Sequence, residues 1–477
     1  MPEIFINGQP VQAQDDETVL QAALRNGFYI PYFCWHKSLS IHGNCRICGV
    51  QPEGKNWVEI ACNMPVSEGM RVLTDSDIVR EHRKSTLQFI TLNHPVDCGI
   101  CDKAGECTLQ DYHYEYNGER SISIEPKVTS TKYVELSSRI VLDNERCILC
   151  TRCVRFTREI SGSNALGVKQ RGDESLVRAS EDGAFESDIY SDNVVDLCPV
   201  GALLSRSFLQ KARVWYLKPT PSVCPGCSRG CSVDLWHRKD EWKLRALDAA
   251  QNSSIARVTP RDNPAVNGPW ICNKGRDIAQ VFERARAELP MLKGKPADLA
   301  AAIAAAKQLV AAAKKPAALI SSWGSNEELA AFAAALGGRF ATFVKADHAA
   351  APGETVEDAL LVRADKNPNT GAARALFGDA SIGFAEGTDL VLVWGEGFSF
   401  AGLPRGAKLI FLNSYLQPEN GHADVFVPVS VQTERSGHYT NFAGVVTAFE
   451  ACFPKAAAVA DAEALFAMIA PATGPRG

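Results

Sequence analysis

The stretch RCILCTRCVRF, from Arg146 to Phe156, decides how the middle of this chain folds. It holds Cys147, Cys150 and Cys153, and a fourth cysteine, Cys198, follows at a distance in DLCPVGAL, directly before Pro199. Two residues between successive cysteines let a tight loop aim its sulfurs at one point, which suits a metal centre. The spacing therefore predicts that these sulfurs hold a metal group.

The other cysteines follow a similar pattern. Fifteen of the sixteen lie before residue 273, and C-x-x-C pairs recur five times. A disulfide framework is the alternative, but such frameworks belong to small secreted domains. This chain has 477 residues and begins MPEIFING, which lacks the pattern of a signal peptide. Metal binding is therefore the preferred interpretation, and the isolated Cys452 is predicted to be a packed core thiol.

Four sets of four ligands result once one histidine is included. The stretch HPVDCGICDKAGEC supplies only three cysteines, so His94 is needed to complete its set. The predicted sets are Cys34, Cys45, Cys48 and Cys62 (first site); His94, Cys98, Cys101 and Cys107 (second site); Cys147, Cys150, Cys153 and Cys198 (third site); and Cys224, Cys227, Cys231 and Cys272 (fourth site).

The chemistry of these sites is either zinc or iron–sulfur, since each set alone also suits structural zinc. The third site has the C-x2-C-x2-C run with a remote C-P that is typical of bacterial ferredoxins, which predicts a [4Fe–4S] cluster. The first site has the C-x2-C core of plant-type [2Fe–2S] ferredoxins, although ten residues separate its first two cysteines where that type has four. Four zinc sites would make a colourless interaction protein, whereas four clusters would make a path for electrons.

Composition excludes several other functions. The chain is 46% hydrophobic and 22% charged, with a net charge of −5. This charge gives no strongly basic domain of the kind that binds nucleic acid. It has no run of 18 apolar residues that would cross a membrane. GEG at 395–397 lacks the full G-x-G-x-x-G pattern and is predicted to be a turn. We find no flavin, nicotinamide or quinone site and no catalytic residue. His36, His42, His82, His113 and His422 complete no ligand set and are predicted to be solvated or capping residues.

The cysteine motifs together resemble those of one known family. FCWHKSLSIHGNCRICGV, HPVDCGICDKAGECTLQDY, RCILCTRCVRF, DLCPVGAL and ICNKGR resemble the iron–sulfur G-subunit family of respiratory complex I, NADH:quinone oxidoreductase, over about the first 280 residues. The resemblance implies one [2Fe–2S] cluster on the first site and three [4Fe–4S] clusters on the others. It implies that electrons enter at the first site, pass to the third and leave from the second, with the fourth off the main route.

The same resemblance implies partners and a location. A flavin subunit that oxidises NADH would deliver electrons, and quinone-side iron–sulfur subunits would receive them. The chain would be cytoplasmic and peripheral on the cytoplasmic side of the inner membrane of a bacterium. The alternative is the electron-transfer subunit of a soluble NAD-linked hydrogenase or formate dehydrogenase. Against these stand the lack of a further cysteine run and the short last domain.

The predicted fold is multidomain, mixing α+β and α/β parts. We expect a β-grasp [2Fe–2S] ferredoxin at 1–78, a helical [4Fe–4S] module with one histidine and three cysteine ligands at 79–120, a ferredoxin-like [4Fe–4S] domain at 121–216 and a [4Fe–4S] module of the molybdopterin-oxidoreductase type at 217–280. Residues 281–477 are expected to form a doubly wound α/β domain. Its ADVFVPVSVQTERSGHYTNFAGVVTAF is similar to the closing motif of molybdopterin oxidoreductases. Its shortness predicts that no molybdopterin binds.

Local patterns predict individual elements. Asp15 or Asp16 is expected to cap a helix over 17–25, and a second helix is expected over 76–92. The stretch LSRSFLQKARVWYLKPTP is predicted to be a helix and connector ended by Pro219 and Pro221. In the last domain, the pattern predicts helices over 298–314 and 326–336, and buried parallel strands over 317–321, 389–394 and 408–412.

Overall fold

The computed structural model describes residues 1–181, 183–243, 252–346 and 356–470. The chain divides into two compact units, Met1–Tyr216 and Leu217–Gly477. In the described parts of both units, no helix has the length and apolar character needed to cross a membrane.

The first unit begins with a five-stranded sheet and one short helix. Its elements are β1 (Glu3–Ile6), β2 (Gln9–Gln12), α1 (Val19–Arg25), β3 (Gly49–Pro52), β4 (Glu59–Ile60) and β5 (Arg71–Leu73), with strand order β2-β1-β5-β3-β4. Asn7 and Gly8, both with positive φ, make the turn between β1 and β2, as an Asn-Gly pair does in tight hairpins. The buried face of the sheet packs on α1 around Ile4, Ile6 and Leu20.

The cap of α1 differs from the prediction. Thr18, not Asp15 or Asp16, precedes the helix; its hydroxyl accepts a hydrogen bond from the N–H of Gln21, and the Gln21 side chain accepts one from the N–H of Thr18. This reciprocal pair satisfies two backbone donors at once. The aspartates lie in the preceding turn, so the helix begins at Val19.

The rest of the first unit is helical turns and small sheets. Its elements are α2 (Asp77–Asn93), α3 (Thr108–Tyr112), β6 (Val134–Glu135), β7 (Ile140–Leu142), α4 (Arg152–Glu159), β8 (Leu166–Lys169), β9 (Leu176–Ala179), α5 (Asn193–Leu197) and β10 (Leu203–Ser205). Strands β10, β7 and β6 form one sheet, and β8 pairs with β9. Ser76 caps α2 by accepting from the N–H of Val79, and the helix ends at Asn93, with His94 as its C-cap.

The second unit contains a three-stranded sheet and a seven-stranded sheet. Its first elements are β11 (Leu217–Val223), β12 (Ser232–Arg238), β13 (Arg257–Pro260), α6 (Asn273–Arg276) and α7 (Ile278–Phe282). The strands of the large sheet are β14 (Met291–Leu292), β15 (Lys295–Pro296), β16 (Pro316–Ile320), β17 (Ala341–Val344), β18 (Leu390–Trp394), β19 (Lys408–Asn413) and β20 (Val425–Pro428). Its helices are α8 (Leu299–Ala312), α9 (Asn326–Leu336), α10 (Thr370–Phe377) and α11 (Ala462–Ile469), and a hairpin of β21 (Gly437–Thr440) and β22 (Val446–Phe449) precedes α11.

The helix predicted within LSRSFLQKARVWYLKPTP, residues 204–221, is wrong. That segment holds the end of β10, turns and a short 3-10 helix, Val214–Tyr216, and both prolines lie inside strand β11. Proline is tolerated there because β11 is at the edge of its sheet, whose order is β11-β12-β13. Pro219 and Pro221 are two residues apart, so their nitrogens face the same side and leave the ladder on the other side intact.

The large sheet has the order β15-β14-β20-β19-β18-β16-β17, and β17, β16, β18, β19 and β20 are parallel. The two faces are covered differently. In the described residues, the four helices contribute to one core cluster with Ile320, Leu392 and Ile410, whereas loop residues such as Phe384 and Phe400 cover the other face.

A doubly wound layer would have helices on both faces. One reason for the different cover of the two faces is that the connection from β18 to β19 contains several residues that disfavour a helix: Gly395, Gly397, Gly402, Pro404 and Gly406.

Candidate metal centres

The first predicted site is assembled on the loop between α1 and β3 and on the turn after β4. The thiols of Cys45 and Cys62 hydrogen-bond to the sulfur of Cys34 and lower its pKa, and Cys62 does the same to Cys48. The N–H of Cys34 also donates to the Cys45 sulfur at 3.4 Å. Cys34, Cys48 and Cys62 are buried. The four sulfurs thus form one contiguous group at the edge of the small sheet.

The second predicted site lies between the end of α2 and the start of α3. His94, Cys98 and Cys107 line one open cavity, and Cys101 is close enough to Cys98 and Cys107 for their charges to interact. Burial, followed by the nearby cations Lys127 and Arg146, lowers the pKa of His94 to about 4. The imidazole is therefore neutral near pH 7, the form in which histidine binds metals.

The His94 ring also has an unused polar atom. Its Nδ1 is buried and, within the described residues, has no hydrogen-bond partner. Burying such an atom without a partner costs free energy, so a ligand at this ring would relieve the cost. The donor set of one neutral imidazole and three cysteines therefore fits a metal group at this position.

Neighbouring segments hold the second loop in place. Arg213 donates to the carbonyl of Cys101 at 2.5 Å and to that of Gly99. Asp102 accepts from the N–H of Gln210 at 2.7 Å, and Asp97 pairs with Lys132 and Arg146 at 2.7 and 2.9 Å. Neither aspartate hydrogen-bonds the His94 ring; both anchor the loop to later parts of the chain.

The third predicted site lines one cavity. Its walls are Cys147, Cys150, Cys153 and Cys198, together with apolar side chains such as Leu142 and Val177. Burial raises the pKa of Cys150 to about 11 and raises the pKa of the other two cysteines of the run as well. A thiolate is disfavoured in such surroundings unless a metal compensates its charge.

An unusual backbone brings the first three of these cysteines together. Leu149 and Thr151 both have positive φ, 51° and 59°, although neither is glycine. The N–H of Leu149 also donates to the Cys147 sulfur at 3.4 Å. Such conformations cost free energy and persist where the surroundings impose them, often at functional sites.

The fourth predicted site is assembled from β11, β12 and α6. Cys224 follows β11, Cys231 precedes β12, and Cys272 is the N-cap of α6. A Cβ on Gly275 would be 3.5 Å from the Cys224 sulfur, and Cys272 and Cys227 are near enough for their charges to interact. The structure therefore brings Cys272, the ligand most distant in sequence, to the other three cysteines.

The isolated cysteine and several of the other histidines lie in different surroundings. Cys452 is buried, its pKa is raised to about 11 by burial, and its thiol interacts with Thr220. His36 and His82 bond backbone groups of Ser38 and Arg46, whereas His113 lines the cavity of the second site. In the ranges that the structure describes, no three His, Cys, Asp or Glu side chains form a site for a single metal ion.

Sequence reasoning missed the buried arginines around these sites. Arg146, Arg152 and Arg155 are 2%, 9% and 2% exposed. Arg152 and Arg155 are three residues apart and lie on one side of α4, but Cys153 does not share that side, so spacing gave no signal for them. A buried cation beside such a site is a candidate for interaction with a negatively charged metal group.

Four family models match the chain. They are the 2Fe-2S iron-sulfur cluster binding domain (residues 2–77), the NADH-ubiquinone oxidoreductase-G iron-sulfur binding region (83–121), the NADH-quinone oxidoreductase subunit 3 ferredoxin-like domain (137–204) and the molybdopterin oxidoreductase Fe4S4 domain (217–284). Each range contains one of the four predicted ligand sets. The chain is therefore a multidomain protein with 2Fe-2S and 4Fe-4S binding domains, as predicted.

Curated relatives match 61% of the chain. The G subunit of NADH-quinone oxidoreductase from Rickettsia typhi is 36% identical over 61% of this chain and 41% of the relative. The mitochondrial NADH dehydrogenase [ubiquinone] iron-sulfur protein 1 of Solanum tuberosum is 38% identical over 61% of this chain and 38% of the relative. The NADH-ubiquinone oxidoreductase 75 kDa subunit of Reclinomonas americana is 36% identical over 61% and 40%.

The chain thus spans about two fifths of the length of these curated relatives. Among solved structures, a chain of an NAD+-reducing [NiFe]-hydrogenase in the H2-reduced state matches with a TM-score of 0.40 and 27% identity, over 45% of this chain and 91% of that chain. The predicted resemblance is confirmed: the chain is similar to G subunits of NADH-quinone oxidoreductase over 61% of its length, and its four matched iron–sulfur domains lie within residues 2–284.

Proposed function

We propose that the chain relays single electrons in a complex I-type NADH:quinone oxidoreductase, from a flavin subunit that oxidises NADH toward quinone-side iron–sulfur subunits. The observation that carries the proposal is the agreement between four assembled ligand sets and four matched iron–sulfur domains. Iron–sulfur clusters held by cysteine accept and release one electron at a time. A chain with four such sites fits a relay.

The cofactors that we propose are one [2Fe–2S] cluster on the first site and a [4Fe–4S] cluster on each of the other three. The chain's own contribution is to present thiolates in apolar surroundings. At the third site, Leu142 and Val177 supply these surroundings. His94 would contribute a neutral ligand at the second site. We further propose a β-grasp fold for residues 1–78, no bound molybdopterin in residues 281–477, and a position of the assembly on the cytoplasmic face of a bacterial inner membrane.

The order of electron flow that we propose is first site, third site, second site. Contacts between the loops support the first step: the carbonyls of Cys34 and Cys150 both accept from Arg155, at 2.5 and 3.2 Å. Another contact supports the second step. Gly201 packs directly against the sulfur of Cys101 in the second site, and it is close in sequence to the third-site ligand Cys198. The fourth site belongs to the other compact unit, and we propose that its cluster lies off this route.

The test is Cys150→Ser in the purified assembly. We expect electron flow from NADH to quinone to fail, while an artificial acceptor that takes electrons at the flavin subunit is still reduced by NADH. Cys452→Ser is the matched control, because Cys452 is also buried and lies outside all four sets; it should retain both activities. An assembled Cys150→Ser protein that still reduces quinone at the unmodified rate would refute the relay.

A further inference from the structure

Helix α4 carries two buried cations toward the first and third sites. Arg152 and Arg155 are 9% and 2% exposed, and a guanidinium stays charged in proteins. Burial lowers the pKa of Arg155, but the nearby sulfurs of Cys34 and Cys150 act in the opposite direction. These charges are therefore held in a region of low dielectric, where electrostatic interactions are stronger than in water.

The hydrogen bonds of both arginines join the two sites. Nη2 of Arg155 donates to the carbonyl of Cys34 at 2.5 Å and to that of Cys150 at 3.2 Å, so one nitrogen is shared by a ligand residue of each site. Arg152 donates to the carbonyl of Trp35 at 2.7 Å and to that of Leu197 at 3.1 Å. Trp35 follows Cys34 and Leu197 precedes Cys198, so this second bridge repeats the first.

The remaining contacts fix the guanidinium of Arg155 in place. Nη1 donates to the carbonyl of Ser40 and Nε donates to the hydroxyl of Thr151 at 3.3 Å. The carboxylate of Glu159 acts on its charge, and this carboxylate is itself bound by the hydroxyl and N–H of Ser40 at 2.6 and 2.8 Å. Because Arg155 donates mainly to carbonyls, its positive charge is only partly offset.

We propose that Arg152 and Arg155 act as a shared electrostatic bridge that raises the reduction potentials of the first and third clusters together. Reduction adds one electron to a cluster and breaks no bond, so the reduced form is more negative by one charge, and a nearby buried cation stabilises it. Because each arginine contacts both loops, its removal lowers both potentials. This inference rests on the proposed clusters and names positioning residues for the transfer between them.

The experiment is a redox titration followed by EPR on the purified assembly containing the full chain. The variants are Arg155→Gln and Arg152→Gln, which remove one charge each, and Arg155→Lys, which keeps it. Arg158→Gln is the matched control, since Arg158 lies on the same helix but its side chain is 58% exposed and pairs with Glu159. Signals of both clusters must be present in the unmodified protein; their absence there would refute the proposed function instead.

In Arg155→Gln we expect the reduction equilibrium constant of both clusters to fall by at least about tenfold, which is 59 mV in a one-electron couple. Arg152→Gln should shift both in the same direction, while Arg155→Lys and Arg158→Gln should stay near the unmodified values. The proposal is overturned if only one cluster shifts, or if Arg155→Lys shifts as far as Arg155→Gln. If Arg155→Gln loses a cluster, the shifts of both potentials in Arg152→Gln decide in its place. If both variants lose a cluster, the arginines have a structural role and the proposal is overturned.

Discussion

Gly201→Ala should damage the second site although Gly201 lies just after the third. A Cβ built on Gly201 would be 2.1 Å from the sulfur of Cys101 and 3.2 Å from the Cβ of Lys103. Ordinary van der Waals contact begins near 3.4 Å, so the sulfur must move by about 1.3 Å. Metal ligands tolerate only about 0.2 Å, and the loop cannot simply retreat because Arg213 holds the carbonyl of Cys101.

We therefore expect Gly201→Ala to lose the EPR signal of the second cluster and about four iron atoms per chain. Overpacking should also destabilise the first unit by about 1–3 kcal/mol, measured by denaturant unfolding. Gly167→Ala is the matched control, because its Cβ would meet only the Ser180 hydroxyl at 3.9 Å. A Gly201→Ala protein with an unchanged second-site spectrum and unchanged iron content would refute this account of the packing.

Three further predictions test individual residues. His94→Cys should retain a cluster whose midpoint potential is lower, since a thiolate adds one negative charge where imidazole is neutral; an unchanged midpoint in a variant that holds the cluster would mean that His94 is not a ligand. Cys272→Ser should remove one cubane from a total of about fourteen iron atoms per chain while NADH-to-quinone flow stays largely intact, and iron analysis with both activity assays checks this. Burial lowers the pKa of His237 below its ordinary 6.5. As the pH falls below 6.5, the unfolded chain therefore binds a proton at this histidine more readily than the folded chain does. The unfolding free energy of the second unit should consequently fall by up to about 1.4 kcal/mol per pH unit until the folded pKa is reached. Unfolding curves at several pH values should show this slope in the unmodified protein, and its persistence in His237→Gln would contradict the assignment.

Much of the fold could be predicted from the sequence because the signals are local. Helix α9 begins and ends at the predicted residues, since Ser325 and Glu328 form a reciprocal cap and Gly337 ends it with a positive φ. The continuous apolar runs of β18 and β19 are indeed buried on both faces. Where the prediction failed, a distant partner decided the outcome: Pro219 and Pro221 are typical helix breakers, but pairing with β12 makes their segment an edge strand.

The candidate sites show the same division. Spacing alone grouped the cysteines into four sets, and the structure brings each set together; that each set holds its cluster stays a prediction. Spacing gave no hint of Arg155, because its partner Cys34 is 121 residues away in sequence. Contacts of that kind depend on how separate loops pack, which no local pattern encodes.

The way in which the second loop is anchored has a consequence for synthesis on the ribosome. All four ligands of the second site have emerged once Cys107 has been made, but the groups that hold their loop come much later: Thr108 bonds the carbonyl of Pro199 at 3.0 Å, and Arg213 bonds that of Cys101. The first site has the same dependence, because Arg155 bonds the carbonyl of Cys34 and Arg152 bonds that of Trp35, although its sheet is complete at Leu73. Domains fold in order from the N-terminus as the chain emerges. A nascent chain should thus form the small sheet early, whereas the loops of the first and second sites gain these contacts only after the third-site segment has been made.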